Sequence, residues 1–244
     1  MALNEIESAL NDVRQRIAKA LQSRAQSDNH CEPRLVAVSK LKSKEYVIKA
    51  YECGQKHFGE NYIQEMEEKS RDAEVLEKCP EIKWHFIGSI QRNKINRLLN
   101  THNLYMIETI SSNAIAEEIN KKLEKTGLTL KVMVQVNTSG EENKSGIEPK
   151  DVTSLVSFIL NNCPNLDFVG LMTIGAFDHD YNEGPNPDFQ CLVDCRDEVV
   201  TNLKLEKKLE LSMGMSNDFE HAIQMGSTNV RVGSTIFGAR PVKS

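Results

Sequence analysis

The sequence has no excess of basic residues: 30 Lys and Arg stand against 35 Asp and Glu, which gives a net charge of -5. Proteins that bind phosphate backbones without sequence preference need clustered Lys and Arg. We therefore expect no nucleic acid among the partners of this protein.

Long hydrophobic runs are also missing. No segment approaches the roughly 18 consecutive apolar residues of a membrane span. The N-terminus carries Glu5, Glu7 and Asp12 where a secretory signal would be apolar. We expect a cytosolic protein with no membrane partner.

The six cysteines lack the spacings of a zinc site or of a disulfide framework. The sequence contains no C-x-x-C pair, and Cys191 and Cys195 stand four residues apart without a nearby His. Reduced, mostly packed thiols are the simpler interpretation. We expect no metal site.

Hydrophobic periodicity predicts an amphipathic helix at the N-terminus, followed by short β-prone runs that alternate with helical patterns. The apolar positions of the first helix are Leu3, Ile6, Leu10, Val13, Ile17 and Leu21. The predicted strands are Leu35–Ser39, Lys56–Phe58, Trp84–Gly88, Leu104–Glu108, Lys131–Asn137, Phe168–Ile174, Glu210–Met213 and Asn229–Val232. The later predicted helices are Lys44–Tyr51, Tyr62–Ser70, Lys94–Leu99, Ala114–Lys125, Pro149–Asn161, Pro187–Leu203 and Asp218–Met225.

Eight strands that alternate with helices indicate a parallel sheet, because parallel neighbours need a crossover helix. The sheet could be a closed barrel or an open doubly wound sheet. The strand count and the length of 244 residues favour a (β/α)8 TIM barrel, which needs roughly 250 residues. No G-x-G-x-x-G follows the first strand, as a dinucleotide fold would require. We predict a single barrel domain over residues 1–244, with an extra N-terminal helix.

Two loops near the C-terminus carry the composition of a phosphate site. In such barrels, phosphate often binds at the loops after strands seven and eight. The loop "MGMSND" offers Gly214 and the hydroxyl of Ser216, and the loop "RVGSTIFG" offers Gly233 and Ser234. Glycine lets backbone amides approach an anion closely. The alternative is that these residues only form turns.

Lys40 follows the first predicted strand, at the rim where functional groups of such barrels lie. It could be solvated, it could pair with a carboxylate, or it could form a Schiff base. Partial burial favours the neutral amine, which is the nucleophile. A phosphate-bearing aldehyde, such as pyridoxal phosphate, fits both Lys40 and the two loops.

Arg231 lies on the eighth predicted strand. A guanidinium can only donate hydrogen bonds, so a pyridine nitrogen facing it must stay an unprotonated acceptor. Such a ring is a weaker electron sink than one protonated beside an Asp. A salt bridge inside the barrel is the alternative interpretation.

With these residues in place, the sequence resembles the pyridoxal phosphate homeostasis protein family, whose fold is shared with the barrel domain of alanine racemase. The resemblance spans nearly the whole chain, and several motifs in the same order make it specific. The motifs are "VAVSK" (36–40), "FGENYIQE" (58–65), "WHFIGSIQRNK" (84–94), "VNTSGEENKSG" (136–146), "GLMTIG" (170–175), "LSMGMSNDFEHAI" (211–223) and "VRVGSTIFGAR" (230–240).

The resemblance implies pyridoxal 5'-phosphate as cofactor, bound to Lys40 as an internal aldimine, with Arg231 facing the ring nitrogen. The residues implied to hold the phosphate are Ser216, Gly233 and Ser234. Where the family also has Thr, this chain has Ser234, and either residue supplies a hydroxyl and a backbone N–H.

Four further positions fall in the shared motifs. Asn61 is similar to the family position near the polar edge of the cofactor ring, and Met213 to a position that lines the pocket. Lys144 matches a basic residue of the family, for which a solvated loop Lys is the alternative. For His85 we expect a hydrogen-bonded core residue that faces inward.

The sequence argues against efficient catalysis. Racemisation needs a base on each face of the reacting carbon, and Lys40 supplies one. In the racemases the opposing Tyr comes from a separate β domain, for which we expect no room in 244 residues. We therefore expect a protein that holds the cofactor reversibly, for buffering or for delivery to apo-enzymes that depend on it.

Two other functions stay open from the sequence. One is a weak amino acid racemase or another enzyme that uses pyridoxal phosphate, and the other is a Schiff-base aldolase without a cofactor. No long exposed apolar stripe is evident, so we expect a monomer or a weak dimer.

Overall fold

The computed structural model describes residues 2–24, 32–141, 144–176, 179 and 184–239. Cys31 and part of the loop 176–188 lie outside the described residues. The other five cysteines are free thiols. No helix in the described part of the chain is both long enough and apolar enough to cross a membrane.

Eight parallel strands close into a barrel in sequence order, which confirms the predicted fold class. The strands are β1 Arg34–Val38, β2 His57–Glu60, β3 Lys83–Phe86, β4 Leu104–Ile110, β5 Leu130–Gln135, β6 Leu166–Met172, β7 Glu210–Ser212 and β8 Asn229–Val232. The barrel closes where β1 pairs with β8, with Val36 opposite Arg231 and Ala37 opposite Val232.

Helices surround the barrel, and the predicted N-terminal helix is present. They are α1 Ile6–Gln22, α2 Lys44–Glu52, α3 Ile63–Arg71, α4 Ala73–Lys78, α5 Ile95–Leu99, α6 Asn113–Glu124, α7 Val152–Asn162, α8 Pro187–Leu203, α9 Phe219–Gln224 and α10 Ser234–Phe237. Helix α1 packs against α2, α9 and α10. Arg16 on α1 donates two hydrogen bonds to Glu220 on α9, at 3.1 and 2.7 Å.

The strands are buried on both faces because helices cover the outside and side chains fill the inside. Alternate residues such as Leu35, Ala37 and Phe58 point into the layer between barrel and helices, which is the main hydrophobic core. A smaller apolar cluster fills part of the barrel interior. Its buried members are Ile87, Met106, Met133, Val169 and Met172. Buried polar side chains occupy the rest of the interior.

The structure differs from the predicted elements mainly at their ends. Strand β5 stops at Gln135 rather than Asn137, because Val136 forms an isolated bridge with Ile147 in the following loop. Helix α4 was not predicted, since its six residues are too few to show a period. Asp72 caps α4 by accepting hydrogen bonds from two backbone N–H groups.

Candidate functional site

The C-terminal rim of β1, β7 and β8 brings together most of the residues predicted to form a site. Because β1 and β8 are paired neighbours, Lys40 after β1 and Gly233 after β8 lie at adjacent strand ends. Lys40 is half-buried. Strand β7 lies on the other side of β8, so the loop that carries Ser216 reaches the same rim.

Ser216 and Gly233 are hydrogen-bonded to each other at the rim, and we call this pair the cradle. The Oγ of Ser216 accepts from the backbone N–H of Gly233 at 3.1 Å, and more weakly from Thr235 at 3.5 Å. Both contacts use lone pairs of the oxygen, so the hydroxyl proton of Ser216 stays available to a bound anion. A Cβ at Gly233 would lie 3.3 Å from the carbonyl oxygen of Val38, so the close approach of β8 to β1 here favours glycine.

Arg231 is a buried cation on β8, two residues before Gly233 in the sequence. Its side chain is fixed by two hydrogen bonds, from Nη1 to the Oγ of Ser212 at 2.6 Å and from Nη2 to the carbonyl oxygen of Thr173 at 2.7 Å. Burial lowers the pKa of Arg231, and the negative charges of Glu108 and Asp218 oppose that shift. The guanidinium remains protonated although it is buried, and the N–H groups that these two hydrogen bonds do not use can donate to a ligand.

A continuous line of hydrogen bonds crosses the barrel interior to Arg231, and we call it the interior chain. Nδ1 of His57 lies 2.8 Å from Nε2 of His85, and Nδ1 of His85 lies 2.6 Å from Glu108. The other oxygen of Glu108 accepts from Ser212 at 2.6 Å, and Ser212 accepts from Arg231. His85 is therefore a buried, hydrogen-bonded residue of the interior, as the sequence predicted.

Glu108 is the anion that balances Arg231. Burial alone would raise the pKa of Glu108, but the hydrogen bond from His85 and the positive charges nearby lower it to about 2. Asn229 adds two hydrogen bonds to the carboxylate, at 3.1 and 3.2 Å. Burial also lowers the pKa of His57, to about 3, so the imidazole at the far end of the chain is neutral.

Asn61 supplies a buried acceptor near the end of β2. Its Oδ1 is buried and has no hydrogen-bond partner among the described residues. Its backbone packs so closely on β3 that a Cβ at Gly88 would lie 1.9 Å from the carbonyl oxygen of Asn61. An orphaned amide oxygen at the rim fits a ligand that brings its own donor.

Met213 and Lys144 are placed less directly. Met213 is fully buried among the residues of the main core, and its backbone N–H donates to the carbonyl oxygen of Asn229 at 3.2 Å. Lys144 donates to Glu141 at 2.7 Å and to the carbonyl oxygen of Gly175 at 2.8 Å, beside a cavity of about 310 Å³. A contact of either side chain with a ligand stays a prediction.

These groups fit a phosphate-bearing aromatic aldehyde. The rim offers the amine of Lys40, the hydroxyl proton of Ser216, the fixed cation of Arg231 and the amide oxygen of Asn61, which has no hydrogen-bond partner among the described residues. Sequence reasoning missed Glu108 and Ser212, since single polar residues within strands give no sign of which partners they meet. The strand register supplies that information.

Comparison with known proteins shows the family to which the chain belongs. Residues 11–241 match the family model described as alanine racemase, N-terminal domain. The chain is similar to the pyridoxal phosphate homeostasis protein of Homo sapiens, with 51% identity over 95% of this chain and 86% of the human protein.

Solved structures show the same similarity. An unknown protein from Bifidobacterium adolescentis superposes with a TM-score of 0.84 and 33% identity, covering 96% of this chain and 95% of that chain. PipY from Synechococcus elongatus, in a structure with PLP bound, gives a TM-score of 0.75 and 28% identity, covering 93% of this chain and 100% of that chain.

Proposed function

The chain belongs to the pyridoxal phosphate homeostasis protein family, and from this premise we propose that it binds pyridoxal 5'-phosphate reversibly at the rim of β1, β7 and β8. It buffers the cofactor or delivers it to apo-enzymes that depend on it, without efficient catalysis of its own. The observation that carries the proposal is the cradle of Ser216 and Gly233, one strand away from Lys40.

Each part of the cofactor has a residue to meet it. Lys40 supplies the amine for a covalent bond to the aldehyde. Ser216, Gly233 and Ser234 would hold the phosphate, with the hydroxyl proton of Ser216 as one donor, and Asn61 would meet the polar edge of the ring. Bound pyridoxal phosphate supplies an aldehyde for amines and a ring that withdraws electrons.

Arg231 limits what such a site can catalyse. Its guanidinium would face the ring nitrogen, and because a guanidinium can only donate, that nitrogen would have to stay unprotonated, which makes the ring a weaker electron sink. Hydrogen bonds to Ser212 and to the carbonyl oxygen of Thr173 hold the guanidinium in place. The arrangement suits storage of the cofactor better than turnover of an amino acid.

Absorbance tests the proposal. The purified protein with pyridoxal phosphate should show the visible band of a cofactor bound through an imine, and Lys40→Ala should abolish it. Lys42→Ala is the matched control, since this lysine lies in the same loop but donates to the carbonyl oxygen of Ala239 at 3.0 Å. Retention of the band in Lys40→Ala would overturn the assignment.

Two further measurements separate the alternatives. Transfer of bound cofactor to an apo-enzyme, in the presence of a trap for free pyridoxal phosphate, tests delivery. A weak racemase would instead exchange the α-proton of an amino acid with deuterated water faster than free cofactor does. We expect exchange no faster than with free cofactor.

A further inference from the structure

A buried ionic cluster lies against the outer side of the segment that carries Lys40. We call it the Lys69 cluster, and it consists of Lys69 and Glu65 on α3, Glu60 at the end of β2, and Ser39. The ammonium of Lys69 donates to Glu60 at 2.7 Å and to Glu65 at 2.7 Å. Glu60 is fully buried and Lys69 is 7% exposed, so the charged groups of these two side chains are held away from water.

The cluster contacts the backbone on both sides of Lys40. Before it, the carbonyl oxygen of Ser39 accepts from Lys69 at 2.8 Å, and the hydroxyl of Ser39 donates to Glu60 at 2.7 Å. After it, the backbone N–H of Leu41 donates to Glu65 at 2.7 Å. A single network thus fixes the residues that immediately precede and follow the lysine.

The backbone of Leu41, next to Lys40, is held in an unfavourable conformation. Leu41 has a φ of +61°, in the left-handed region that side chains other than glycine rarely adopt. Leu41 is 44% exposed, so packing of its own side chain does not hold it there. Such strain persists when surrounding contacts over-determine the conformation, and the hydrogen bond to Glu65 is one of these contacts.

We propose that Lys69, Glu60 and Glu65 are positioning residues that fix the backbone of residues 39–41 and thereby aim the side chain of Lys40 at the phosphate cradle. The proposal rests on the proposed function of Lys40. If the lysine is held in one orientation, its side chain needs no reordering when the aldehyde binds. If the loop is free, only a fraction of the molecules can bind the aldehyde at a given time, and the apparent affinity for it is lower. The three residues act through Lys40 and do not touch the cofactor.

Lys69→Met tests the proposal, since Met keeps the length of the side chain but removes its three hydrogen bonds. We expect the affinity for pyridoxal phosphate to fall at least about tenfold and the visible band to form more slowly. The band at saturation should keep its position, because Arg231 and the cradle are unchanged. Lys44→Met, which breaks ion pairs with Asp72 and Glu74 at the start of α4, should leave the affinity unchanged.

A double variant separates positioning from stability. Lys69→Met alone leaves Glu60 buried without its cation, and burial already raises the pKa of Glu60 to about 7. Adding Glu60→Gln removes that carboxylate and should recover thermal stability while the affinity stays low, because the bond from Lys69 to Ser39 is still missing. Recovery of the affinity together with the stability would overturn the proposal.

Hydrogen exchange gives a readout that does not need the cofactor. The amide of Leu41 should be protected in the wild type and should exchange much faster in Glu65→Ala, with Glu68→Ala as an exposed control on the same helix. If the wild type binds no pyridoxal phosphate, the proposed function fails whatever the amide does. If the wild type binds it and Glu65→Ala loses protection without loss of affinity, the positioning role fails.

Discussion

Glu108 shows how much the site depends on one carboxylate that no ligand is expected to touch. It is completely buried and lies between His85 on one side and Ser212 with Asn229 on the other. Because Arg231 is buried as well, removal of Glu108 would leave its charge only partly compensated, by Asp218. The electrostatic balance of the rim is thus decided on β4, across the barrel from the cradle.

Replacing Glu108 with Gln should destabilise the protein by about 3 kcal/mol, since it removes the buried carboxylate that, together with Asp218, compensates the buried guanidinium of Arg231. Urea unfolding at pH 7 measures the change. Glu118→Gln is the control, because Glu118 pairs with Lys122 on the half-exposed face of α6, where solvent screens the interaction and little stability should be lost.

The pH dependence of the same variant gives a second check. The pKa of Glu108 is about 2 in the folded protein, below its ordinary value of 4.5, so its contribution is fully present above pH 4.5 and is lost as the pH falls towards 2. The free energy of unfolding should therefore fall less steeply over this window in Glu108→Gln than in the wild type. Equal slopes would contradict the assigned pKa.

At the scale of elements, the contact between β3 and the loop after β2 fixes Asn61. Gly88 lies two residues after the end of β3, and there the backbone of Asn61 fills the space that a side chain would need. Only glycine permits this approach, and the approach in turn places the unpartnered Oδ1 of Asn61 at the rim. The close packing of these two segments thus positions a polar atom of the candidate site.

Gly88→Ala should cost about 3 kcal/mol, because its Cβ meets backbone rather than a movable side chain. It should also weaken cofactor binding, since Asn61 must shift. Gly127→Ala is the comparison: no atom lies within 4 Å of its Cβ, and its φ of +66° makes the expected cost about 1 kcal/mol. Thermal unfolding of both variants, followed by titration with pyridoxal phosphate, tests the difference.

The elements also show what the sequence could and could not predict. Each of the eight strands was predicted close to its place, because buried runs such as the one in β1 are easily recognised between helical patterns. Lys40 and Ser216 could be found because they directly follow strands. Lys69 could not, since a lysine within a helix looks solvated until the neighbouring Glu60 is known to be buried beside it.

At the scale of the whole molecule, the site lies across the closure of the barrel. Lys40 follows the first strand and Gly233 follows the last, and these two strands pair with each other to close the barrel. A ligand bonded to both ends therefore links the beginning of the barrel to its end. Such a ligand should stabilise the entire fold rather than one loop.

Pyridoxal phosphate at 100 times its Kd should add about 2.7 kcal/mol to the free energy of unfolding, which corresponds to a rise in Tm of roughly 5–10 °C for a chain of this size. Inorganic phosphate, which meets only the cradle, should give a smaller rise at the same concentration. Differential scanning calorimetry of the wild type and of Lys40→Ala measures both. An equal rise in the two proteins would show that the lysine adds nothing to the binding.

The interior chain has a consequence for how this site could be inherited or transplanted. Strand β8 and the loops after β7 and β8 look like a portable unit, since together they carry the cradle and Arg231. Their cation, however, is balanced by a carboxylate from β4, which is itself held by a histidine from β3. Grafted onto another barrel, this unit would bring a buried charge without that carboxylate. To move the site to another barrel, β3 and β4 would have to be moved together with β7, β8 and their loops.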